Sequence, residues 1–350
     1  MAIRVLVIDD AASMRELYVR LLGQSDQVEV VGVAADAVEG REMVLRLKPQ
    51  VVVLDLEMPR IDGITFLRQL MRFHPLPTLV VSAATSGSDA KAMEALRAGA
   101  IDVIPKLQAA SKLVDFAPML VGKIIDAAGT QPGNLHFNHT AMQDLDAITP
   151  KSSHLLVAVG ASTGGTSAVE YIITHLNRNM PAVVVAFHLP ARFTAQFSRR
   201  LDALLPVTVK EAEHGEPLCN GVVYIAPGGQ HISIRQGRKG YIVNLSPRKD
   251  EDHYAPDIDR LFESVARYAG ERAIGIILTG MGDNGAKGLL KMREAGAMTV
   301  AESEGSAIVF GMPKAAQALG AAWRVLPLQQ MRSAIIDFCA LNRPEEEWQD

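Results

Sequence analysis

The chain has 350 residues, 35 Lys plus Arg against 39 Asp plus Glu, and two cysteines. That length suits about two domains, each large enough to bury its own core, and two cysteines exclude a disulfide-built miniprotein. A formal net charge of −4 with no basic stripe argues against nucleic acid as a partner, and 48% hydrophobic with 21% charged residues excludes a disordered chain.

The opening run Val5-Leu6-Val7-Ile8 meets Asp9 and Asp10 too soon for a secretory signal, and no stretch nears the ~18 uninterrupted apolar residues of a membrane span. A cytoplasmic protein without membrane insertion is expected, with Cys219 and Cys339 as reduced thiols, since they are far apart and fit no metal-binding spacing. Val5 to Ile8 reads as a strand, and Met14, Leu17, Leu21 and Leu22 then recur at helical spacing. Further strands are predicted over 28–33, 51–56, 78–81 and 102–104, with helices over 63–73 and 88–97 between them. Over 128–153 the periodicity fails and turn formers cluster, which predicts a linker. Strand–helix alternation resumes with runs at 155–159, 182–186, 222–226, 274–278 and 298–301. The fold class predicted is α/β, two doubly wound parallel-sheet domains over 1–127 and 154–350.

In open α/β sheets, active groups gather at the carboxyl ends of strands. Asp9 and Asp10 end the first strand, Asp55 the third and Ser82 the fourth, and Lys106 follows the fifth. Three convergent carboxylates need a hard divalent cation, most naturally Mg2+. The set suits phosphoryl transfer to a carboxylate, with Asp55 as nucleophile, Lys106 pairing with it and Ser82 donating a hydrogen bond. The competing reading, that strand-end aspartates only cap the following helices, explains one such residue better than five.

The motifs Val7-Ile8-Asp9-Asp10, Val53-Leu54-Asp55-Leu56-Glu57-Met58-Pro59, Val81-Ser82-Ala83 and Asp102-Val103-Ile104-Pro105-Lys106 resemble those of response-regulator receiver domains. The resemblance implies a flavodoxin-like domain, phosphorylation of Asp55 by a partner histidine kinase, and Mg2+ held by Asp10, Asp55 and the Glu57 backbone carbonyl, with Asp9 beside them. Pro105 departs from the pattern, because receivers place proline after the lysine, where Leu107 stands here.

In the second half, Gly160-Ala161-Ser162-Thr163-Gly164 satisfies G-x-S-x-G and sets Ser162 on a sharp turn between strand and helix. A hydroxyl needs a base, and His188 follows the strand predicted over 182–186. A third member, Asp283 or Asn284, comes from the glycine-rich turn 280–285, and the backbone N–H groups of Thr163 and Met281 could form an oxyanion hole. Nucleotide binding is disfavoured, because the turn lacks the P-loop lysine and is not G-x-G-x-x-G.

Residues 155 to about 340 resemble the catalytic domain of the CheB chemotaxis methylesterases, through Gly160 to Gly165, His188-Leu189-Pro190, Arg192-Phe193-Thr194, Tyr224 to Gly228, Asp257 to Phe262, Thr279 to Gly282 and Phe310 to Pro313. That resemblance implies a Rossmann-like domain that hydrolyses γ-glutamyl methyl esters on methyl-accepting chemoreceptors, commonly deamidates receptor glutamines, and needs no cofactor for the esterase. It further implies that the unphosphorylated receiver covers the Ser162 cleft. Two departures bear on mechanism: Asn284 stands at the family's acidic triad position, with Asp283 just before it, and Phe187 replaces the usual glutamine. Asn284 opens an alternative reading, a receptor-binding adaptor with weak or no catalysis.

Overall fold

Short β-branched runs pair into two parallel sheets, one in each of the compact units Met1–Phe137 and Asn138–Asp350. The computed structural model describes residues 2–58, 61–82, 88–106, 113–130 and 154–341. The first sheet holds β1 (Ile3–Ile8), β2 (Val28–Ala34), β3 (Val51–Asp55), β4 (Thr78–Ser82) and β5 (Asp102–Pro105), in the order β2-β1-β3-β4-β5. Every position of β3 and β4 is buried, as a parallel sheet covered on both faces requires. The intervening helices are α1 (Ala12–Leu22), α2 (Ala37–Leu47), α3 (Gly63–Phe73) and α4 (Ser88–Arg97), and α5 (Leu113–Ala128) ends the unit. Asp36 caps α2 by accepting the Val38 and Glu39 N–H bonds, and Asp62 caps α3 through Thr65 N–H. The strand order reverses between β1 and β3, which opens a crevice at their carboxyl ends.

The second sheet has seven strands in the order β14-β13-β12-β6-β7-β9-β8, and all its neighbours are parallel. They are β6 (Leu156–Ala161), β7 (Ala182–Phe187), β8 (Thr208–Glu211), β9 (Val222–Ile225), β12 (Ala273–Ile277), β13 (Met298–Glu302) and β14 (Arg324–Leu326). An antiparallel hairpin, β10 (Gln230–Gly237) with β11 (Gly240–Pro247), stands apart from that sheet. Its helices are α6 (Gly165–Thr174), α7 (Ala191–Leu204), α8 (Ile258–Tyr268), α9 (Ala286–Glu294), α10 (Met312–Ala318) and α11 (Met331–Leu341). On α8, Ile258, Leu261, Phe262 and Val265 recur at i, i+3, i+4 and i+7 and are fully buried. They share a core with Ile232, Ile234 and Val243 of the hairpin, each such side chain contributing roughly 1.5–3 kcal/mol of burial. That packing fixes the start of α8 beside β6, whose neighbours β12 and β7 are reached by the chain in opposite directions.

Three features differ from the sequence reading. β8 and β14 are edge strands of four and three residues with partly exposed side chains, too short for period-two patterning to register. The hairpin carries its signal in the alternation of Ile232 and Ile234 against Tyr241 and Val243, interrupted by exposed Arg235, Gln236, Arg238 and Lys239. Helix α5 runs through Ala128, so the expected linker start is helical, and 131–153 lie outside the described residues. Pro59, Ala83 and Leu107 lie outside them as well. Pro105 ends the edge strand β5, where a missing N–H is tolerated, and Lys106 N–H returns to the Ser82 carbonyl at 2.8 Å. Among the described residues no helix is long and apolar enough to cross a membrane.

Candidate active site

At the first crevice, Asp9 and Asp55 are almost fully buried and Asp10 is exposed, and each offers a carboxylate oxygen within 4.8 Å of the others. Lys106 Nζ lies 2.6 Å from Asp55 Oδ2 and 3.2 Å from Asp9 Oδ2. Asp55 Oδ1 accepts Glu57 N–H at 3.2 Å, which turns the chain just after β3. Burial pushes the Asp55 carboxyl up to about 6; Lys106 opposes that shift and Asp9 adds to it. Burial works against the Lys106 charge too, but its hydrogen bond and attraction to Asp55 prevail and raise it. Asp9 Oδ2 is buried with the Lys106 ammonium at 3.2 Å as its one close cation among the described residues, so three carboxylates outnumber the positive charge and a hard cation fits the pocket. Ser82 is buried at the end of β4. Sequence reasoning missed Tyr18, whose buried hydroxyl is held protonated by desolvation and by the Asp9 and Asp55 charges.

In the second unit, Ser162 follows β6 and is half-buried. Its N–H donates to the Thr279 carbonyl at 3.0 Å, and Thr279 Oγ1 donates to the Thr163 carbonyl at 2.9 Å, so the turns after β6 and β12 are stitched together. Gly164 starts α6 with φ of 77°, a left-handed conformation that a side chain would strain. Gly280 lies so close that a Cβ there would sit 2.7 Å from Ser162 Cβ. Buried Glu302, at the end of β13, accepts Thr279 N–H at 2.8 Å and Ser306 Oγ at 2.9 Å. Burial pushes its carboxyl up to about 7.

His188, one residue past β7, turns Nδ1 toward Ser162 Oγ at 3.0 Å and Nε2 toward Asn284 Oδ1 at 3.1 Å. The orientation of the Asn284 amide is fixed by its surroundings. Its Nδ2 donates to Asp257 Oδ1 at 2.7 Å, and its Oδ1 accepts Ile258 N–H at 2.9 Å. A carboxylate only accepts and a backbone N–H only donates, so Oδ1 faces the imidazole. Nε2 therefore carries the proton, and the Nδ1 lone pair faces the serine hydroxyl. The sequence reading left Asp283 and Asn284 as rivals for this place. Asp283 is exposed and Asn284 buried against the histidine, so Asp283 is set aside as an orienting residue. Thr163 is buried behind Ser162, and Met281 is exposed at the neighbouring turn.

Two further residues stand at this site without a role assigned from the sequence, Tyr254 and Asp257, the second known there only as part of the motif Asp257 to Phe262. Tyr254 stacks on His188 with ring centroids 4.6 Å apart and planes 6° from parallel. Asp257, the N-cap of α8, stands behind Asn284. An aspartate directly before an apolar helical stripe signals a helix cap, but not a second partner from another element.

Two family models match the chain: response regulator receiver domain over residues 5–117, and CheB methylesterase over residues 157–335. A protein-glutamate methylesterase/protein-glutamine glutaminase of Burkholderia thailandensis is 44% identical over 347 residues, covering 94% of this chain and 97% of the relative. One of Geobacter metallireducens is 40% identical over 340 residues, covering 94% of each. The crystal structure of the Thermotoga maritima CheB methylesterase catalytic domain is similar at 35% identity and a TM-score of 0.51, covering 53% of this chain and 99% of that one. With a five-stranded receiver sheet in its first unit and a strand-end serine and histidine in its second, the chain belongs to the CheB methylesterase family.

Proposed function

We propose that the second unit hydrolyses γ-glutamyl methyl esters on methyl-accepting chemoreceptors, with Ser162 as nucleophile and His188 as base. The observation that carries this reading is the hydrogen-bonded chain from Ser162 Oγ through His188 to a locked Asn284 amide. His188 Nδ1 takes the hydroxyl proton as Ser162 Oγ attacks the ester carbonyl carbon. The tetrahedral intermediate places its oxyanion toward the Thr163 and Met281 backbone N–H groups. On collapse the C–O bond to the methoxy group breaks, the imidazolium returns its proton, and methanol leaves. Water then attacks the acyl-serine by the same proton route, releasing glutamate and restoring Ser162. Glutamine deamidation follows the same path with ammonia leaving. The adaptor reading rested on Asn284, and the locked amide supports catalysis instead, because it holds the productive imidazole tautomer.

The first unit, in this reading, accepts a phosphoryl group on Asp55 from a chemotaxis histidine kinase and so regulates the esterase. Asp9, Asp10, Asp55 and the Glu57 carbonyl would hold Mg2+, which when bound offsets the charge of the carboxylates and of the incoming phosphoryl oxygens. Lys106 pairs with the Asp55 carboxylate and, once that is an acyl phosphate, with the phosphoryl oxygens. Ser82 donates to the same group.

The test is mass-spectrometric capture of the acyl-enzyme. A glutamate-methylated receptor peptide mixed with protein and quenched in acid should leave its acyl mass on the tryptic peptide containing Ser162, and none in Ser162→Ala. An adduct at another residue, or methanol release undiminished in Ser162→Ala, refutes the assignment.

A further inference from the structure

We infer that Asp257 is a positioning residue for His188: through the Asn284 amide it supplies the orientation and the negative charge that a directly bonded carboxylate provides in a serine–histidine–aspartate triad. The inference rests on the Ser162–His188 chemistry proposed above.

Taken alone, an asparagine is an ambiguous partner, because its amide can present either Oδ1 or Nδ2 to the ring. Presenting Nδ2 would force Nε2 to accept, move the ring proton to Nδ1 and leave nothing to receive the serine proton. Asp257 penalises that arrangement. With the amide reversed, Asn284 Oδ1 would face a carboxylate oxygen at the 2.7 Å now occupied by a hydrogen bond, and Nδ2 would face Ile258 N–H. Both contacts would be repulsive, and both are attractive as the amide stands.

The carboxylate itself is held still. Asp257 Oδ1 also accepts Asp259 N–H at 3.0 Å as the α8 N-cap, and Asp257 N–H donates to His231 Nδ1 at 3.2 Å. Arg260 Nε lies 3.4 Å from Asp257 Oδ2, but that guanidinium is shared, since its Nη2 binds Asp252, which also accepts from His231 Nε2 at 2.7 Å and from Lys249 N–H at 2.8 Å. The Asp257 charge is therefore only partly neutralised. Asp259 is the other carboxylate near the amide, with Oδ2 3.4 Å from Asn284 Nδ2. Its Oδ1 is occupied by Gly288 N–H at 2.6 Å, and burial raises its pKa. When the serine proton reaches His188, the imidazolium thus faces an aligned amide dipole with a carboxylate behind it. Tyr254 covers one face of that ring and Ser162 its far edge.

Asp257→Asn tests this without removing the helix cap, because asparagine caps as well as aspartate. The assay uses the full chain with Mg2+ and acetyl phosphate, measuring methanol release from a glutamate-methylated receptor fragment. The ring signals of His188 are followed across pH by NMR. Asp257→Asn should lower kcat on the order of tenfold with KM little changed, and should move the His188 titration to lower pH. Adding Asn284→Asp to that variant places a carboxylate directly on Nε2 and should restore both kcat and the titration midpoint. A purely structural role predicts no such rescue. Unchanged kcat and titration in Asp257→Asn, or a loss that Asn284→Asp fails to rescue, overturns the inference while leaving the nucleophile standing. Full activity in Ser162→Ala overturns the underlying chemistry instead.

Discussion

His188 reaches Ser162 with Nδ1 and Asn284 with Nε2, so the imidazole is oriented by an amide whose own orientation comes from Asp257 and Ile258. Crowding beside Ser162 is equally specific. Gly280→Ala would drive a methyl group against the flexible Met312 side chain and into Ser162 Cβ, so the variant should keep its far-ultraviolet circular dichroism and lose at least tenfold in kcat, measured as methanol release. At the other site the prediction concerns stability. Asp55 is raised from an ordinary value of 3.8 to about 6, so its contribution to folding is full below pH 4 and is lost as pH rises through 6. Asp55→Asn should accordingly stabilise the protein at pH 7, by on the order of 1–3 kcal/mol in urea denaturation followed by a probe in the first unit. That gain should shrink toward zero at pH 4. The residue types at these sites were legible from strand-end placement alone. Asp283 against Asn284 was not, because adjacent turn residues point in different directions and sequence carries no orientation.

At the scale of elements, the parallel strands of both sheets were legible because continuous β-branched runs are what a twice-covered sheet demands. The hairpin and edge strands were not, since half their side chains face solvent and their lengths fall to three residues. The hairpin matters to the site through packing: it and α8 share a core, and α8 begins at Asp257. Helix α8 and the turn after β12 were each readable, but their meeting at Asn284 depends on tertiary packing. Glu302 adds an element-scale test, because it ties β13 to the Thr279 turn after β12. Its carboxyl is raised from 4.5 to about 7, so its charging costs stability as pH rises through 7. Glu302→Gln keeps an acceptor for Thr279 N–H, and should unfold at higher temperature than the parent at pH 8, with the difference shrinking toward zero as pH falls below 4.5.

At the scale of the whole molecule, the chain joins an acidic crevice suited to a phosphoryl group with a serine site suited to acyl transfer. Both occupy the point where strand order reverses, which brings Asp9, Asp10, Asp55 and Lys106 together in one unit and Ser162, His188 and Asn284 in the other. Coupling between the units is the central claim, and methanol release from a glutamate-methylated chemoreceptor fragment tests it most directly. The full chain should release methanol faster when Mg2+ and acetyl phosphate are added; Asp55→Asn should lose that acceleration, and Ser162→Ala should release none. Equal rates with and without phosphodonor in the parent chain, at a measurable Ser162-dependent rate, would contradict regulation through Asp55. Release that persists in Ser162→Ala would contradict the esterase assignment itself.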